Sequence, residues 1–425
     1  MLGSGTGTVR GGDGAGAEAT ARVVSERAPA ERPRDDAPIP PVYGGGSNPS
    51  VYQPLPEEPR GVMSELSREK IEQALGDVDD PHLGLDLVAA KAVRNIVVDG
   101  ESVTVDLVMP YPCARWGDTL AATVREALAS RAGATDAVVN VSHEVIAHSV
   151  QHGVKRLENV KNIIAIASGK GGVGKSTTSA NLALALAAEG ATVGLLDADI
   201  YGPSQPRMMG LSGQPESTDG KSLEPKENYG VQTMSIGYLI DEETPMIWRG
   251  PMVTQALEQL LNDTRWRDLD YLLIDLPPGT GDTQLTLAQK VPLSGAVIVT
   301  TPQDIALLDA RKGLKMFEKV EVPILGIVEN MSTHICSNCG HEEHVFGAGG
   351  GQRMAEEAGV NLLGSLPLEL GIREHADAGR PSVVAEPDGA IAATYREIAR
   401  NAAAKLSRQA KDYTSKFPNI VIQNT

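Results

Sequence analysis

A glycine-rich stretch with two lysines is the first part of the sequence that could do chemistry. SGKGGVGKST, residues 168–177, contains the spacing G-x-x-x-x-G-K-[ST] at Gly169, Gly174, Lys175 and Ser176. It follows a short apolar run, IIAIA, and precedes a segment with the apolar spacing of a helix. Glycines let such a loop turn its backbone N–H groups toward a phosphate, and the N-terminus of the following helix adds positive charge. The stretch therefore predicts a nucleotide-phosphate site.

Within this loop, two side chains have predicted roles. We expect Lys175 to contact the β- and γ-phosphates and the Ser176 hydroxyl to ligate Mg²⁺. A nucleotide triphosphate with Mg²⁺ is thus the predicted ligand of the loop. A coincidental glycine-rich turn is the alternative, but such a turn has no need to lie between a strand and a helix. The expected contacts to the nucleotide are Gly169, Gly171, Gly172, Val173, Gly174, Lys175, Ser176 and Thr177.

Aspartates at the ends of two apolar runs provide the acidic groups that phosphoryl transfer requires. Asp197 and Asp199 follow TVGLL, and Asp275 follows YLLI. Since ligands of such folds bind at the carboxyl edge of the sheet, we expect all three carboxylates beside the glycine loop. One carboxylate there can order the water around Mg²⁺ while another positions the attacking water, and Asp275 has the position of an acid that holds Mg²⁺ through water. Helix capping is the common alternative for any single aspartate of this kind.

A C-x-x-C pair, Cys336 and Cys339, lies in ENMSTHICSNCGHEEHVFG. Two thiolates at this spacing can hold one metal ion or one edge of a cluster, because the turn between them directs both sulfurs to one side. Two further ligands are needed. His341 and His344 would complete a zinc site within one chain, and the same cysteines of a second subunit would complete a shared site. A redox disulfide is a third alternative.

The composition indicates a globular protein with a polar N-terminal extension. Residues 1–62 of the 425 are rich in Gly, Ala, Pro, Arg and acidic residues without an apolar face, so we expect them to be disordered. Met63, where patterned sequence begins, is an alternative translation start. The net charge of −17 argues against nucleic acid or an anionic membrane as a partner. No apolar run approaches the roughly 18 residues that cross a bilayer, and no secretory signal is evident, so we expect a cytoplasmic protein.

The elements that must position these residues fall into two predicted domains. Residues 63–152 are predicted to form a small α/β domain with a helix in SELSREKIEQALGDV, a hairpin that turns at DG, a second helix and a third strand. Residues 153–162 are a predicted linker. Residues 163–408 alternate near-continuous apolar runs with helices, which indicates a mostly parallel sheet with helices on both faces. Residues 409–425 are a predicted C-terminal tail.

Several motifs, taken together, resemble one family. SGKGGVGKST, with its additional Lys170, is similar to the deviant P-loop ATPases. Further motifs follow along the chain: LLDADIYGPS, WRGPM, LIDLPPGTGD, TTPQD, and ENMS followed by C-x-x-C and FGAGGG. Together they are similar to the motifs of the Mrp/ApbC family of ATP-binding iron–sulfur cluster carriers, over roughly residues 160–405. DPHLGLDLV, residues 80–88, resembles the assembly domain that often precedes this ATPase in bacteria.

The resemblance implies roles in nucleotide chemistry for residues of this chain. It implies a homodimer that encloses two ATP molecules, in which Lys170 reaches the nucleotide of the other subunit. It implies that Asp199 positions the attacking water and that Asp197 belongs to the outer shell of the metal. Asn330 has the position that contacts the adenine in related ATPases. Lys170, Lys175 and Asp199 are accordingly the expected catalytic residues.

The resemblance also implies the cargo and the partners. In this family a [4Fe–4S] cluster bridges two subunits through the C-x-x-C cysteines, which here are Cys336 and Cys339. The implied partners are cluster scaffold proteins and apo iron–sulfur client proteins. Cys113 lies where assembly domains often carry a reactive cysteine, but Ala114 replaces the proline expected after it. A small buried residue is an equally good interpretation of Cys113.

Two other functions share parts of this pattern. A ParA/MinD-like ATPase switch has the same loop and acts on DNA or membranes, and in that case the cysteines would form a structural zinc knuckle. The acidic charge argues against it. An electron donor resembling nitrogenase reductase also bridges a cluster, but its cysteines lie far apart in sequence. The favoured prediction is an ATP-hydrolysing carrier that holds a [4Fe–4S] cluster between two subunits and passes it to apo-proteins.

Overall fold

The computed structural model describes residues 66–240, 250–336 and 338–411. They all belong to one compact unit, Met63–Thr425. The predicted disorder of residues 1–62 and most of the predicted tail, residues 412–425, lie outside the described residues.

The small domain is a three-stranded sheet backed by two helices. The strand order is β3-β4-β5, with an antiparallel β3/β4 pair and a parallel β4/β5 pair. Asp99 pairs with Ser102, so the hairpin turns at Gly100–Glu101, one residue later than the DG pattern predicts. Gly100 has a φ of +63°, which glycine adopts without strain. The elements are α1 (Arg68–Gly76), β1 (Asp79–Asp80), β2 (Leu85–Asp86), β3 (Val93–Asp99), β4 (Ser102–Met109), α2 (Gly117–Ala127) and β5 (Asp136–His143).

The larger domain contains an eight-stranded sheet in the order β15-β12-β11-β6-β10-β7-β9-β8. Every neighbouring pair is parallel except β8/β9, which is antiparallel. The strands are β6 (Val160–Ala167), β7 (Val193–Asp197), β8 (Lys226–Asn228), β9 (Val231–Ser235), β10 (Leu269–Asp275), β11 (Gly295–Thr300), β12 (Ile324–Glu329) and β15 (Leu362–Ser365), and a separate two-stranded ladder joins β13 (His334–Ile335) to β14 (Glu342–Glu343).

Helices cover both faces of this sheet, because alternate residues of its central strands point into different cores. Ile164 and Ile166 of β6 belong to one core and Ile163 to the other. The first core is covered by α3, α10 and α11, and the second by α5, α6, α7 and α8. The predicted fold class is therefore confirmed. The helices are α3 (Lys175–Ala188), α4 (Gln205–Met208), α5 (Gly250–Asp263), α6 (Asp282–Lys290), α7 (Asp304–Lys319), α8 (Gly350–Ala358), α9 (Leu370–Asp377), α10 (Ser382–Ala385) and α11 (Ala390–Ser407).

The small domain shares its core with one face of the larger domain. Buried residues of β4 and α2 belong to the same apolar cluster as those of α3 and α11. The segment after β5 also packs on the larger domain: Gln151 Nε2 donates to the carbonyls of Ala288 and Val291 at 2.7 and 3.0 Å, and its Oε1 accepts from the Leu293 N–H at 2.9 Å. Contacts of this kind fix the position of the small domain. The domain limits at residues 152 and 162 remain predictions.

Candidate functional site

The glycine loop leaves the end of β6 and wraps around the N-terminus of α3. Gly172 and Gly174 have φ values of +80° and +81°, which favour glycine. Gly169 is required for a different reason, since a Cβ there would overlap the backbone of Asp309 on α7. Since α3 begins at Lys175, directly after Gly174, its first N–H groups have no partner within the helix and are available to a phosphate at the loop.

A cavity of about 240 Å³ lies inside this loop. Three of the predicted nucleotide contacts do not line it: Gly169 packs beneath the loop against α7, the Val173 side chain is buried, and Asn330 lies outside the lining. The lining residues are Ser168, Lys170, Gly171, Gly172, Gly174, Lys175, Ser176, Thr177, Asp199, Ser204, Met208 and Pro278.

The structure brings the predicted lysine and two predicted carboxylates together. Lys175 Nζ lies 2.5 Å from Asp275 Oδ1 and 4.0 Å from Asp199 Oδ2. The same ammonium donates to Ser176 Oγ at 3.2 Å. Lys175 and Asp275 are both buried, so this charge pair is shielded from solvent. A nucleotide phosphate would therefore compete with Asp275 for the ammonium of Lys175.

Asp197 holds the segment that carries Asp199. Asp197 Oδ1 accepts from the Asp199 N–H at 3.2 Å, and Oδ2 accepts from the N–H groups of Ser204 and Gln205 at 3.0 and 3.1 Å and from Ser235 Oγ at 3.1 Å. Burial and the nearby Asp275 raise the pKa of Asp197. Burial also raises the pKa of Asp199, although Lys175 opposes this effect. A role of Asp197 in the outer shell of a metal stays a prediction.

Lys170 and Asn330 both contact groups of their own chain near the loop. Lys170 is half-buried and its Nζ donates to Gln303 Oε1 at 3.3 Å. Asn330, at the end of β12, donates from Nδ2 to the Val173 carbonyl at 2.9 Å and leaves no room for a Cβ at Gly174. Asn330 thus braces the loop. The predicted contacts of Lys170 with a second subunit and of Asn330 with adenine stay predictions.

The C-x-x-C pair lies on the turn between β13 and β14. The Cys336 N–H donates to the His341 carbonyl at 2.9 Å, and the Gly340 N–H donates to the Cys336 carbonyl at 2.8 Å. Both thiols are free; Cys336 is half-buried and Cys339 is exposed. Backbone N–H groups of Asn338 and Cys339 point at the Cys336 sulfur and lower the pKa of this thiol. The turn therefore favours a thiolate at Cys336 on an accessible surface.

The predicted alternative ligands do not join this pair. His344 Nδ1 lies 2.9 Å from the Ser332 carbonyl, and His341 contacts Cys336 through its backbone carbonyl. Across residues 66–240, 250–336 and 338–411, no group of three or more His, Cys, Asp or Glu side chains is arranged to hold a metal ion. Within one described chain, the site thus consists of two thiols.

Cys113 lies away from this turn, in the core of the small domain. It is only 1% exposed, and burial, with a smaller contribution from Glu189, raises the pKa of its thiol to about 12. A thiol in this environment stays protonated and is a poor nucleophile. The structure therefore supports the interpretation of Cys113 as a buried core residue.

Two residues that were not predicted from the sequence complete the nucleotide site. Ser179 Oγ and Gln205 Nε2 donate to Asp275 Oδ1 and Oδ2 at 3.0 and 2.9 Å. Ser179 lies one helical turn after Lys175, so helix periodicity could have placed it on the same face. Gln205 belongs to no motif, and only the fold brings it to Asp275.

The site defines a P-loop NTPase. It consists of a strand, a phosphate loop and a helix, with a buried lysine and carboxylates at the carboxyl edge of a parallel sheet. Residues 159–403 match the family model described as ParA, the NUBPL iron-transfer P-loop NTPase, and residues 68–142 match the model of an iron–sulfur cluster assembly protein. The chain belongs to the NUBPL iron-transfer P-loop NTPase family. The resemblance predicted from the motifs is confirmed.

Two relatives agree with this assignment, and one solved structure is similar to part of the chain. An iron–sulfur cluster carrier protein of Escherichia coli K12 is 49% identical over 82% of this chain and 95% of its own length. The iron–sulfur cluster transfer protein NUBPL of Mus musculus is 52% identical over 59% of this chain and 80% of its own length. A solved nucleotide-binding protein from Archaeoglobus fulgidus in complex with ADP is 39% identical, with a TM-score of 0.49, over 55% of this chain and 91% of that one. No helix of the described residues is both long and apolar enough to cross a membrane.

Proposed function

We propose that this protein is an ATP-hydrolysing carrier that holds a [4Fe–4S] cluster between two subunits and transfers it to apo-proteins. The observation that carries the proposal is an accessible pair of thiols, Cys336 and Cys339, on a chain that also contains a complete phosphate loop. The names of its relatives, iron–sulfur cluster carrier and transfer proteins, support the same cargo.

Lys175, Asp199 and Lys170 each have a proposed role in ATP hydrolysis. Lys175 leaves Asp275 to contact the β- and γ-phosphates, and its charge stabilises the phosphate oxygens as the γ-phosphoryl group departs. Asp199, with a pKa raised by burial, accepts a hydrogen bond from the attacking water and orients it. Lys170 supplies further positive charge to the nucleotide of the second subunit.

The donor set also fits Mg²⁺. A hydroxyl at Ser176 and carboxylates at Asp197 and Asp275 are the oxygen ligands this ion accepts, directly or through water. When bound, the ion neutralises charge on the β- and γ-phosphates. Asp275 Oδ1 accepts a hydrogen bond from the ammonium of Lys175. When this ammonium moves to a phosphate, Oδ1 loses that hydrogen bond and can face the ion.

The number of thiols supports the cluster half of the proposal. A [4Fe–4S] cluster takes four thiolate ligands, and each chain offers Cys336 and Cys339 on one turn. Two chains that meet at this turn supply four. Because the turn is exposed, the cluster can be handed to another protein without unfolding either chain.

The remaining parts of the proposal concern partners and location. We expect a homodimer that accepts its cluster from scaffold proteins and delivers it to apo iron–sulfur clients in the cytoplasm. The charge of −17 makes nucleic acid and anionic membranes poor partners.

Anaerobic reconstitution tests the cargo directly. Iron, sulfide and zinc are measured together with the oligomeric state, for the full chain and for Cys339→Ala, with Cys113→Ala as the matched control. We expect about four irons and four sulfides per dimer, lost in Cys339→Ala and kept in Cys113→Ala, since four thiolates hold the cluster. One zinc per monomer that is lost in His344→Ala would instead support a ParA/MinD-like switch with a structural zinc knuckle.

A further inference from the structure

Gln205 is a buried amide at the centre of the nucleotide site with no role so far. It begins α4 and is only 1% exposed. Its Nε2 donates to the Ser176 carbonyl at 3.0 Å and to Asp275 Oδ2 at 2.9 Å. Its backbone N–H donates to Asp197 Oδ2 at 3.1 Å. One residue thus contacts all three residues that are proposed to hold Mg²⁺.

The orientation of this amide is set by its neighbours. Both groups that face Nε2 are acceptors, a carbonyl and a carboxylate. A flipped amide would place Oε1 against these two acceptors and would lose both hydrogen bonds. Oε1 therefore points to the other side of the amide.

Oε1 of Gln205 is buried and has no hydrogen-bond partner among the described residues. A buried amide oxygen without a donor is unfavourable and is rare in folded proteins. Because Oε1 shares its amide carbon with Nε2, it lies near the Ser176 carbonyl and Asp275 but faces away from these two acceptors. A water molecule bound to Mg²⁺ is a strong donor that would satisfy this oxygen.

We propose that Gln205 is a positioning residue for the metal: Nε2 fixes the orientation of Asp275, and Oε1 accepts a hydrogen bond from a water of the Mg²⁺ shell. The inference rests on the proposed Mg²⁺-dependent nucleotide chemistry. Gln205 also follows the loop that Asp197 holds and that carries Asp199. Gln205 therefore contacts Asp275 through its side chain and Asp197, which holds this loop, through its backbone N–H.

The test compares Gln205→Leu with Gln151→Leu. Gln151 is also a buried glutamine with three side-chain hydrogen bonds, but its partners are Ala288, Val291 and Leu293, before β11 and away from the glycine loop. Binding of a fluorescent ADP analogue is titrated with Mg²⁺ and repeated in EDTA. Thermal melting shows whether each variant is folded.

We expect Gln205→Leu to raise the Mg²⁺ concentration for half-maximal effect about tenfold, with affinity in EDTA within about twofold of the parent protein, because one good hydrogen bond to a charged shell has this magnitude. Gln151→Leu should melt earlier and keep the parent Mg²⁺ dependence. Equal Mg²⁺ dependence of the two variants overturns the inference. If Gln205→Leu does not fold, Gln205→Met, which has a similar length and no amide, is measured in its place with the same two outcomes. Absence of Mg²⁺-dependent binding in the parent protein would contradict the proposed function instead.

Discussion

Replacement of Arg400 by methionine should destabilise the contact between the two domains. Arg400 lies on α11, and its guanidinium pairs with Glu189, the C-cap residue of α3. Its Nε donates to His82 Nε2 at 3.0 Å, and its guanidinium carbon lies 5.4 Å from the ring centroid of Trp116. Glu189 Oε2 also accepts from the Arg115 N–H at 2.9 Å. This cluster therefore joins α3, α11 and the small domain.

The size of the effect follows from burial. The Glu189 side chain is 0% exposed and that of Arg400 is 11% exposed. Removal of one partner of a buried ion pair leaves an uncompensated charge and typically costs about 3–5 kcal/mol. Arg373 offers a matched control on α9, since its pair with Asp377 leaves the two side chains 61% and 52% exposed. Exposed pairs of this kind contribute no more than about 1 kcal/mol.

Urea unfolding followed by tryptophan fluorescence measures the difference, because Trp116 lies in the cluster itself. We expect Arg400→Met to lower the free energy of unfolding by about 3–5 kcal/mol. Arg373→Met should lower it by no more than about 1 kcal/mol. The double variant Arg400→Met/Glu189→Gln should lose less than the sum of its single changes, since no uncompensated charge of this pair remains in it. Equal midpoints for Arg400→Met and Arg373→Met would refute the proposed role of burial.

Three further predictions concern His82, the lysines of the glycine loop and the hydrogen bonds of Gln151. Burial, aided by Arg400, holds the pKa of His82 below 6.5 in the folded chain. The unfolded chain therefore takes up the proton first, and the free energy of unfolding should fall as pH drops below 6.5. In His82→Gln this part of the pH dependence of the melting temperature should disappear. Lys175→Ala should abolish ATP hydrolysis, while Lys170→Ala should keep nucleotide affinity and lose turnover; normal turnover in Lys170→Ala would contradict a role across the dimer. A fragment of residues 144–425 keeps the Gln151 hydrogen bonds and should melt higher than one of residues 159–425; equal melting temperatures would show that these bonds add nothing.

The glycine loop and the carboxylates could be predicted because each depends on a local pattern. The spacing of Gly169, Gly174 and Lys175 is tied to one backbone conformation. Gly174 has a positive φ, and close packing leaves no room for a Cβ at Gly169. Asp197 and Asp275 end apolar strands that pair in parallel, so their position at one sheet edge follows from topology. Which atoms they contact does not follow, because the partners of Asp197 come from the next loop.

The contacts between the domains could not be predicted in this way. Arg400 and Glu189 are separated by 211 positions, and His82 and Arg400 by 318. Charged residues on helices are most often solvated, so no local pattern distinguishes this pair from the exposed pairs. Gln205 was missed for a similar reason, because its amide reaches Asp275 across 70 positions.

The helix that follows the glycine loop explains why the two domains pack as one unit. α3 begins at Lys175, beside the phosphate loop, and its C-cap Glu189 accepts hydrogen bonds from the small domain and from Arg400. Fourteen helical residues span about 21 Å, so a single element reaches from the nucleotide cavity to the small domain. The apolar core on this face continues from α3 into β4 without interruption. The small domain is thus positioned by the C-terminal end of the phosphate-binding helix and by this shared core, and the predicted linker of residues 153–162 does not have to position it.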